Sequence, residues 1–129
     1  MIDHMGFAVS NYDRAKIFYS KALAPLGYVL MLDVSAEENP SGFPAAGFGA
    51  NQNPDFWIGG EGKLHHPLHV AFTAKDRGSV DAFYRAALAA GAKDNGPPGV
   101  RTRYHPNYYA AFVLDLDGHN IEAVCHSPG

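Results

Sequence analysis

Hydrophobic and polar residues alternate over the first residues of the chain and then take up a helical spacing. Within residues 2–9, His4 and Gly6 fall on the face opposite Phe7, which is the period of a half-buried strand. Residues 10–11 are of types that cap helix N-termini, so a helix is predicted to begin there. Its apolar residues recur every three or four positions, at Ala15, Phe18, Tyr19, Ala22, Leu23 and Leu26. The chain therefore opens with a strand followed by an amphipathic helix.

The second half of the chain repeats this order. A shift of 65 positions, which carries His4 onto His69, also carries Phe18-Tyr19 onto Phe83-Tyr84 without a gap. Three further strands are predicted after each helix, at residues 28–33, 45–49 and 55–58 and at residues 100–104, 108–115 and 120–125. A period of this length with only two copies indicates duplication of a module rather than a solenoid.

The repeat predicts the architecture. One α+β domain spans residues 1–129 and contains two βαβββ modules, module 1 at residues 1–60 and module 2 at residues 64–127. A helix on one face of each sheet leaves the other face free. The two modules are therefore expected to form a curved mixed sheet around a cleft.

Composition narrows the range of partners and compartments. The formal net charge of −3 gives no basic footprint for nucleic acid, and no apolar run reaches the roughly 20 residues that span a membrane. The N-terminus lacks the apolar segment of a signal peptide. Cys125 is the single cysteine, so no intrachain disulfide forms, and a cytoplasmic protein is expected in which Cys125 is buried on the strand face opposite Glu122.

Two pairs of positions related by the repeat, His4 with His69 and Trp57 with Glu122, are the candidate functional residues. His4 and His69 lie on the first strand of each module, and Trp57 and Glu122 lie on the last strand. Three of the four are metal-ligand types, and two imidazoles with a carboxylate suit a divalent ion such as Zn²⁺, Mn²⁺, Fe²⁺ or Ni²⁺. The neighbouring residues on these faces are small or polar, so such ligands would have access to a cavity.

The closing segment carries the most specific resemblance to a known family. Asp115-Leu116-Asp117-Gly118-His119-Asn120-Ile121-Glu122 resembles the Asp-Pro-Asp-Gly-Asn…Glu segment of the vicinal oxygen chelate superfamily, with Leu116 and His119 as departures. The strand histidines of Ile2-Asp3-His4-Met5 and Leu68-His69-Val70 extend the resemblance over essentially the whole chain. This superfamily includes glyoxalase I, bleomycin-resistance proteins, fosfomycin-resistance transferases and extradiol dioxygenases.

The resemblance implies a function and a ligand set. His4, His69 and Glu122 map onto metal-ligand positions, the ion would chelate vicinal oxygens of a small-molecule substrate, and Glu122 would also be the catalytic base. It further implies a homodimer in which His4 comes from one subunit and His69 with Glu122 from the other. Glyoxalase I has a further glutamate where this chain has Trp57, which favours another metal-dependent lyase, isomerase or dioxygenase over a true glyoxalase I.

Alternatives to this interpretation stay open, and one of them is that the His/Glu set is a relic with neither enzymatic nor binding activity. A metal-free binding protein of the bleomycin-resistance type would hold an aromatic ligand in the cleft, between Trp57, Phe48, Tyr104 and Tyr109. A polar-aromatic cluster near the cleft mouth is either an exposed hairpin or a contact for an anionic or aromatic substrate, and its members are Arg101, Arg103, Tyr104, His105, Tyr108 and Tyr109. The remaining histidines are interpreted as loop or solvated side chains: His65, His66, His119 and His126.

Overall fold

The computed structural model describes residues 2–61 and 67–129, and within them it contains two α-helices, one short 3-10 helix and nine strands. The first half comprises β1 (Met5–Ala8), α1 (Tyr12–Ala22), the 3-10 helix (Ala24–Leu26), β2 (Val29–Val34), β3 (Ala45–Gly49) and β4 (Phe56–Gly59). The second half comprises β5 (His69–Thr73), α2 (Arg77–Ala89), β6 (Lys93–Asp94), β7 (Gly99–Val100), β8 (Tyr109–Leu114) and β9 (Asn120–Cys125). His65 and His66, which were interpreted as loop histidines, lie outside the described residues.

The two halves agree in strand register as well as in element order. β1 pairs with β4 in parallel, with Gly6 opposite Trp57. β5 pairs with β9 in the same way, with Ala71 opposite Glu122. The shift that carries His4 onto His69 also relates these two pairs of residues. The predicted α+β fold with two βαβββ modules is therefore confirmed.

Each module has its own mixed sheet. The strand order is β1-β4-β3-β2 in the first sheet and β5-β9-β8-β6 in the second, where β7 also pairs with β8. The parallel pair at one edge of each sheet is followed by antiparallel neighbours. The mixed sheet expected from the sequence is thus present as two sheets, one from each module.

The second module departs from the first at the strand after its helix. The equivalent of β2 is divided into β6 and β7, with a segment between them that includes Pro97 and Pro98, which have no N–H to donate to a neighbouring strand. Residues 101–104 were predicted to be a strand, and this prediction is wrong. They form a turn in which the Tyr104 N–H donates to the Arg101 carbonyl oxygen at 3.0 Å. We call residues 101–108 the 101–108 loop.

The helices cover one face of each sheet and contact each other, so the two cores are continuous. Phe56 of β4 makes edge-to-face contacts with Phe7 and Tyr19 at 5.4 and 5.0 Å and with Phe72 of the second module at 5.2 Å. Cys125 is buried, as predicted. Across residues 2–61 and 67–129, no helix has the length and apolar character needed to cross a membrane.

The turn between β8 and β9 joins the second module to the first. Asp115 is buried and accepts a hydrogen bond from the Tyr19 hydroxyl of α1. Asp117 accepts two hydrogen bonds from Ser10, at 2.5 Å from the hydroxyl and at 3.0 Å from the backbone N–H. The N–H groups of Asp117 and His119 donate to Asp115 at 2.9 and 2.8 Å and close the turn on itself. We call residues 115–119 the Asp115 turn.

We expect Tyr19→Phe to lower the free energy of unfolding by about 2 kcal/mol, because one oxygen of the buried Asp115 carboxylate loses its donor. Urea denaturation followed by circular dichroism measures the change. Tyr12→Phe is the matched control, since the Tyr12 hydroxyl also donates to a carboxylate, that of Asp33, but in an exposed position. We expect a smaller loss in this control, and equal losses in the two variants would contradict the role given to the Asp115 turn.

Candidate functional site

His69 and Glu122 meet on the sheet face opposite α2. The Nε2 atom of His69 on β5 lies 3.0 Å from the Oε1 atom of Glu122 on β9. The Nδ1 atom of His69 lies 3.1 Å from the carbonyl oxygen of Asn120. An N–H on Nδ1 that donates to this carbonyl directs the Nε2 lone pair toward the carboxylate. Two electron-rich atoms at this distance require a cation, either a proton or a metal ion, to stabilise their approach.

The spacing of these donors fits a divalent metal ion. Ligand atoms that lie about 2.1 Å from one ion and at a right angle to each other are about 3.0 Å apart. The observed separation of Nε2 and Oε1 is 3.0 Å. In addition, a backbone carbonyl that holds the second ring nitrogen is a common feature of histidines that bind metals. The separation of His69 and Glu122 therefore matches two donors that share one cation, either a proton in a hydrogen bond or a divalent ion in a ligand set.

His4, the third predicted ligand, is not part of this pair. It directly precedes β1 in the first module, and its Nδ1 atom lies 2.6 Å from the carboxylate of Asp3. It lines a cavity of about 660 Å³ together with Trp57 and Asn53. Within residues 2–61 and 67–129, no group of three His, Cys, Asp or Glu side chains is arranged to hold a metal ion. A single chain thus brings together two of the three predicted ligands in its described part.

Tyr108 donates a hydrogen bond to Glu122, a contact that the sequence analysis missed. The Tyr108 hydroxyl lies 2.5 Å from Oε2, the oxygen that does not face His69. Burial, together with the hydrogen bond to Glu122, raises the pKa of Tyr108 to about 12. The phenol is therefore protonated at neutral pH and acts as a donor. No sequence signal singled out this contact, because it depends on the conformation of the 101–108 loop.

Phe112 lies beside the His69–Glu122 pair and was also missed. It is opposite Glu122 in the β8–β9 ladder, and its ring stacks with the His69 imidazole at a centroid distance of 6.3 Å. The guanidinium of Arg101 lies over the same ring, 5.4 Å from its centre. Arg101 also donates to the carbonyl oxygens of Gly99 and Pro97 at 2.8 and 2.7 Å, which hold it in position. Arg101 thus places a positive charge over the ring that stacks with His69.

The other polar residues of the predicted cluster lie on the 101–108 loop. The Arg103 guanidinium lies 5.1 Å from the centre of the exposed Tyr104 ring. His105 Nδ1 accepts the N–H of Asn107 at 3.0 Å, so its Nε2 carries the N–H that donates to His126 Nδ1 at 2.7 Å. A substrate-binding role for Arg103, Tyr104 and His105 stays a prediction.

Two residues that were predicted to bind substrate face the helices instead. Phe48 is fully buried, with its ring near those of Tyr19 and Phe56. The hydroxyl of Tyr109 donates to Asp81 of α2 at 2.6 Å. Side chains alternate between the two faces of a strand, and both residues occupy the phase that points toward the core. The assignment of Phe48 and Tyr109 to the cleft is therefore wrong.

Trp57 occupies the position equivalent to Glu122 and lies on a surface made by two glycines. Gly6 and Gly47 are opposite Trp57 on the two neighbouring strands. A Cβ atom at Gly47 would lie 2.9 Å from two indole carbons, and one at Gly6 would lie 3.0 Å from the Trp57 Cβ. Trp57 thus occupies the space that a side chain at residue 6 or 47 would fill. Its indole forms a wall of the cavity beside His4.

His119 is buried, which corrects the expectation that it is solvated. Only 2% of its surface is exposed, and its ring centre lies 4.3 Å from that of Phe7. Its Nδ1 atom accepts the N–H of Leu68 at 2.9 Å, directly before His69 in the chain. His126, by contrast, is exposed, as expected. His119 therefore has a structural role at the start of β5.

Paired βαβββ modules with ligand-type side chains on the free faces of their sheets define a recognisable class of protein. The family profile described as the Glyoxalase/Bleomycin resistance protein/Dioxygenase superfamily matches residues 1–123. The chain belongs to this superfamily.

Individual relatives agree with this assignment. The metallothiol transferase FosB of Shouchella clausii (strain KSM-K16) is 31% identical over 123 residues, which cover 94% of this chain and 77% of the relative. A glyoxalase/bleomycin resistance protein from Albidiferax ferrireducens T118 has a crystal structure that is similar over 98% of both chains, with a TM-score of 0.73 and 26% identity. Glyoxalase I from Zea mays shares the fold, with a TM-score of 0.70 at 18% identity over 95% of this chain and 43% of that one.

We expect Gly47→Ala to displace the indole of Trp57, because the added Cβ would lie 2.9 Å from its ring carbons. Trp57 is the only tryptophan, so its fluorescence emission maximum and its quenching by iodide report the displacement directly. Gly78→Ala is the control, since a Cβ there meets nothing closer than an oxygen of Asp76 at 3.6 Å. An unchanged emission spectrum in Gly47→Ala would contradict the packing described for Trp57.

Proposed function

We propose that this protein is a divalent-metal-dependent enzyme that acts on a small oxygenated molecule, with His4, His69 and Glu122 as ligands. The observation that carries the proposal is the approach of His69 Nε2 to Glu122 Oε1 at 3.0 Å, with Nδ1 facing the carbonyl of Asn120. A relative named as a metallothiol transferase supports the use of a metal. Zn²⁺, Mn²⁺, Fe²⁺ and Ni²⁺ all suit two imidazoles and a carboxylate.

The side chains around the pair have distinct tasks in this proposal. A bound divalent ion would supply Lewis acidity toward an oxygen of the substrate. Glu122 is 2% exposed, and its Oε1 atom is the oxygen available as a ligand and as a base. Phe112 orients the His69 ring by stacking, and Arg101 adds positive charge that attracts an anionic substrate. Trp57, in place of a further carboxylate, leaves the site with three protein ligands, which argues against glyoxalase I chemistry.

We further propose that two copies of the chain complete each site, with His4 from one subunit and His69 with Glu122 from the other. The separation of His4 from the His69–Glu122 pair within the described residues supports this arrangement. The edge strand β2 also exposes three apolar side chains that a partner could cover, namely Val29, Leu30 and Leu32.

A metal-free binding protein for a flat aromatic ligand is the second candidate. The observation that favours it is the indole of Trp57 on its glycine surface, beside a cavity of about 660 Å³. The inward orientation of Phe48 and Tyr109 weakens this candidate, because it removes two of the four aromatic side chains expected to hold the ligand.

We expect the protein, purified without chelators or reconstituted, to hold about one ion per chain, and we expect His4→Ala and Glu122→Ala each to lose most of it. Inductively coupled plasma mass spectrometry after gel filtration measures the metal content. Glu37→Ala is the matched control, since it removes an exposed carboxylate outside the proposed ligand set and should retain the ion. No bound metal after reconstitution with Zn²⁺, Mn²⁺, Fe²⁺ and Ni²⁺ would contradict the enzyme proposal, and the binding protein would then be the better interpretation.

Mixing the two variants that are expected to lose the metal tests whether the site is shared between subunits. His4→Ala and Glu122→Ala chains, unfolded and refolded together, form mixed dimers with one intact and one doubly altered site if each site uses both subunits. We expect recovery of about one quarter of the parent metal content after random pairing. If all three ligands came from one chain, no intact site would form, and the mixture would bind no more metal than the separate variants.

A further inference from the structure

The carboxylate of Glu122 has a different neighbour at each of its two oxygens. Oε1 faces His69 Nε2 at 3.0 Å, and Oε2 accepts the Tyr108 hydroxyl at 2.5 Å. The residue is 2% exposed, so water does not compete freely for either oxygen. A carboxylate with one oxygen engaged by a strong donor cannot offer both oxygens equally to a cation.

Tyr108 is held in place by its surroundings. Its carbonyl oxygen accepts the Arg101 N–H at 2.7 Å, which closes the base of the 101–108 loop. Its ring packs against three other rings, those of Tyr104, His105 and His126, at centroid distances of 4.8, 5.4 and 5.2 Å. These contacts restrict the phenol to the direction from which it reaches Glu122.

The repeat gives an independent observation on this contact. The shift that carries Trp57 onto Glu122 carries Phe43 onto Tyr108. The first module therefore has no hydroxyl at this position and no carboxylate for it to meet, and the Phe43 side chain is 43% exposed. The donor is present only in the module that has the carboxylate.

We propose that Tyr108 is a positioning residue that holds Glu122 as a one-oxygen ligand, by occupying Oε2 and turning Oε1 toward the ion held with His69. This inference rests on the proposed function, because it assumes that His69 and Glu122 bind a metal ion. A bound ion would then have fewer protein donors, and it would be left open to oxygens of a substrate.

The test compares Tyr108→Phe with Tyr109→Phe. Both variants remove a tyrosine-to-carboxylate hydrogen bond at the start of β8, but Tyr109 bonds to Asp81 on the helix side. Titration with Co²⁺ alone, followed by visible absorption, measures affinity and coordination together, because the d–d bands lose intensity as the coordination number increases. We expect Tyr108→Phe to weaken Co²⁺ binding by about tenfold or more and to reduce band intensity as Glu122 becomes bidentate.

We expect Tyr109→Phe to keep the Co²⁺ affinity and spectrum of the parent, even if its thermal stability falls. Co²⁺ affinity within twofold of the parent and an unchanged spectrum in Tyr108→Phe would overturn the positioning role.

If the parent binds no Co²⁺, the proposed function fails, and a second measurement tests the hydrogen bond by itself. The carboxylate infrared band of metal-free protein that is lost in Glu122→Gln belongs to Glu122. A shift of this band in Tyr108→Phe but not in Tyr109→Phe supports the positioning of the carboxylate, and an unmoved band refutes it.

Discussion

The carboxylate of Asp115 is buried between the two modules, and its hydrogen bonds hold them in one arrangement. A buried charge without donors would cost several kcal/mol. Tyr19 supplies one donor from α1, and the N–H groups of Asp117 and His119 supply two more from the turn itself. The first helix of one module and the turn of the other thus stabilise each other, which couples the folding of the two halves.

Both candidate ligands in the second module depend on this turn. β9 begins directly after it, so the turn determines the position from which Glu122 points. The ring of His119 accepts the N–H of Leu68 and thereby fixes the residue that precedes His69 in β5. One segment therefore influences the separation of His69 and Glu122, and the Asp115 turn and one half of the candidate site lie in the same short stretch of sequence.

The period of the hydrophobic pattern was sufficient to predict much of the fold. This period predicted the two modules and their helices. It also predicted that His69 and Glu122 share a sheet face, because the alternation of side chains along a strand is a local property. Phe48 and Tyr109 were misplaced because their aromatic character was given more weight than their phase along the strand. Three features could not be predicted from local patterns because they depend on contacts between distant segments. They are the turn at residues 101–104, the burial of His119 and the hydrogen bond from Tyr108 to Glu122.

The two modules have diverged in sets of residues rather than one by one. Gly47 is opposite Trp57, whereas Phe112 is opposite Glu122, so large and small side chains have exchanged places across equivalent strand pairs. Phe43 likewise corresponds to Tyr108. A carboxylate introduced at residue 57 alone would lie over bare glycine backbone, with no hydroxyl to orient it. Residues 43, 47 and 57 of the first module therefore differ as a set from Tyr108, Phe112 and Glu122, and giving residue 57 the surroundings of Glu122 would require substitutions at all three positions.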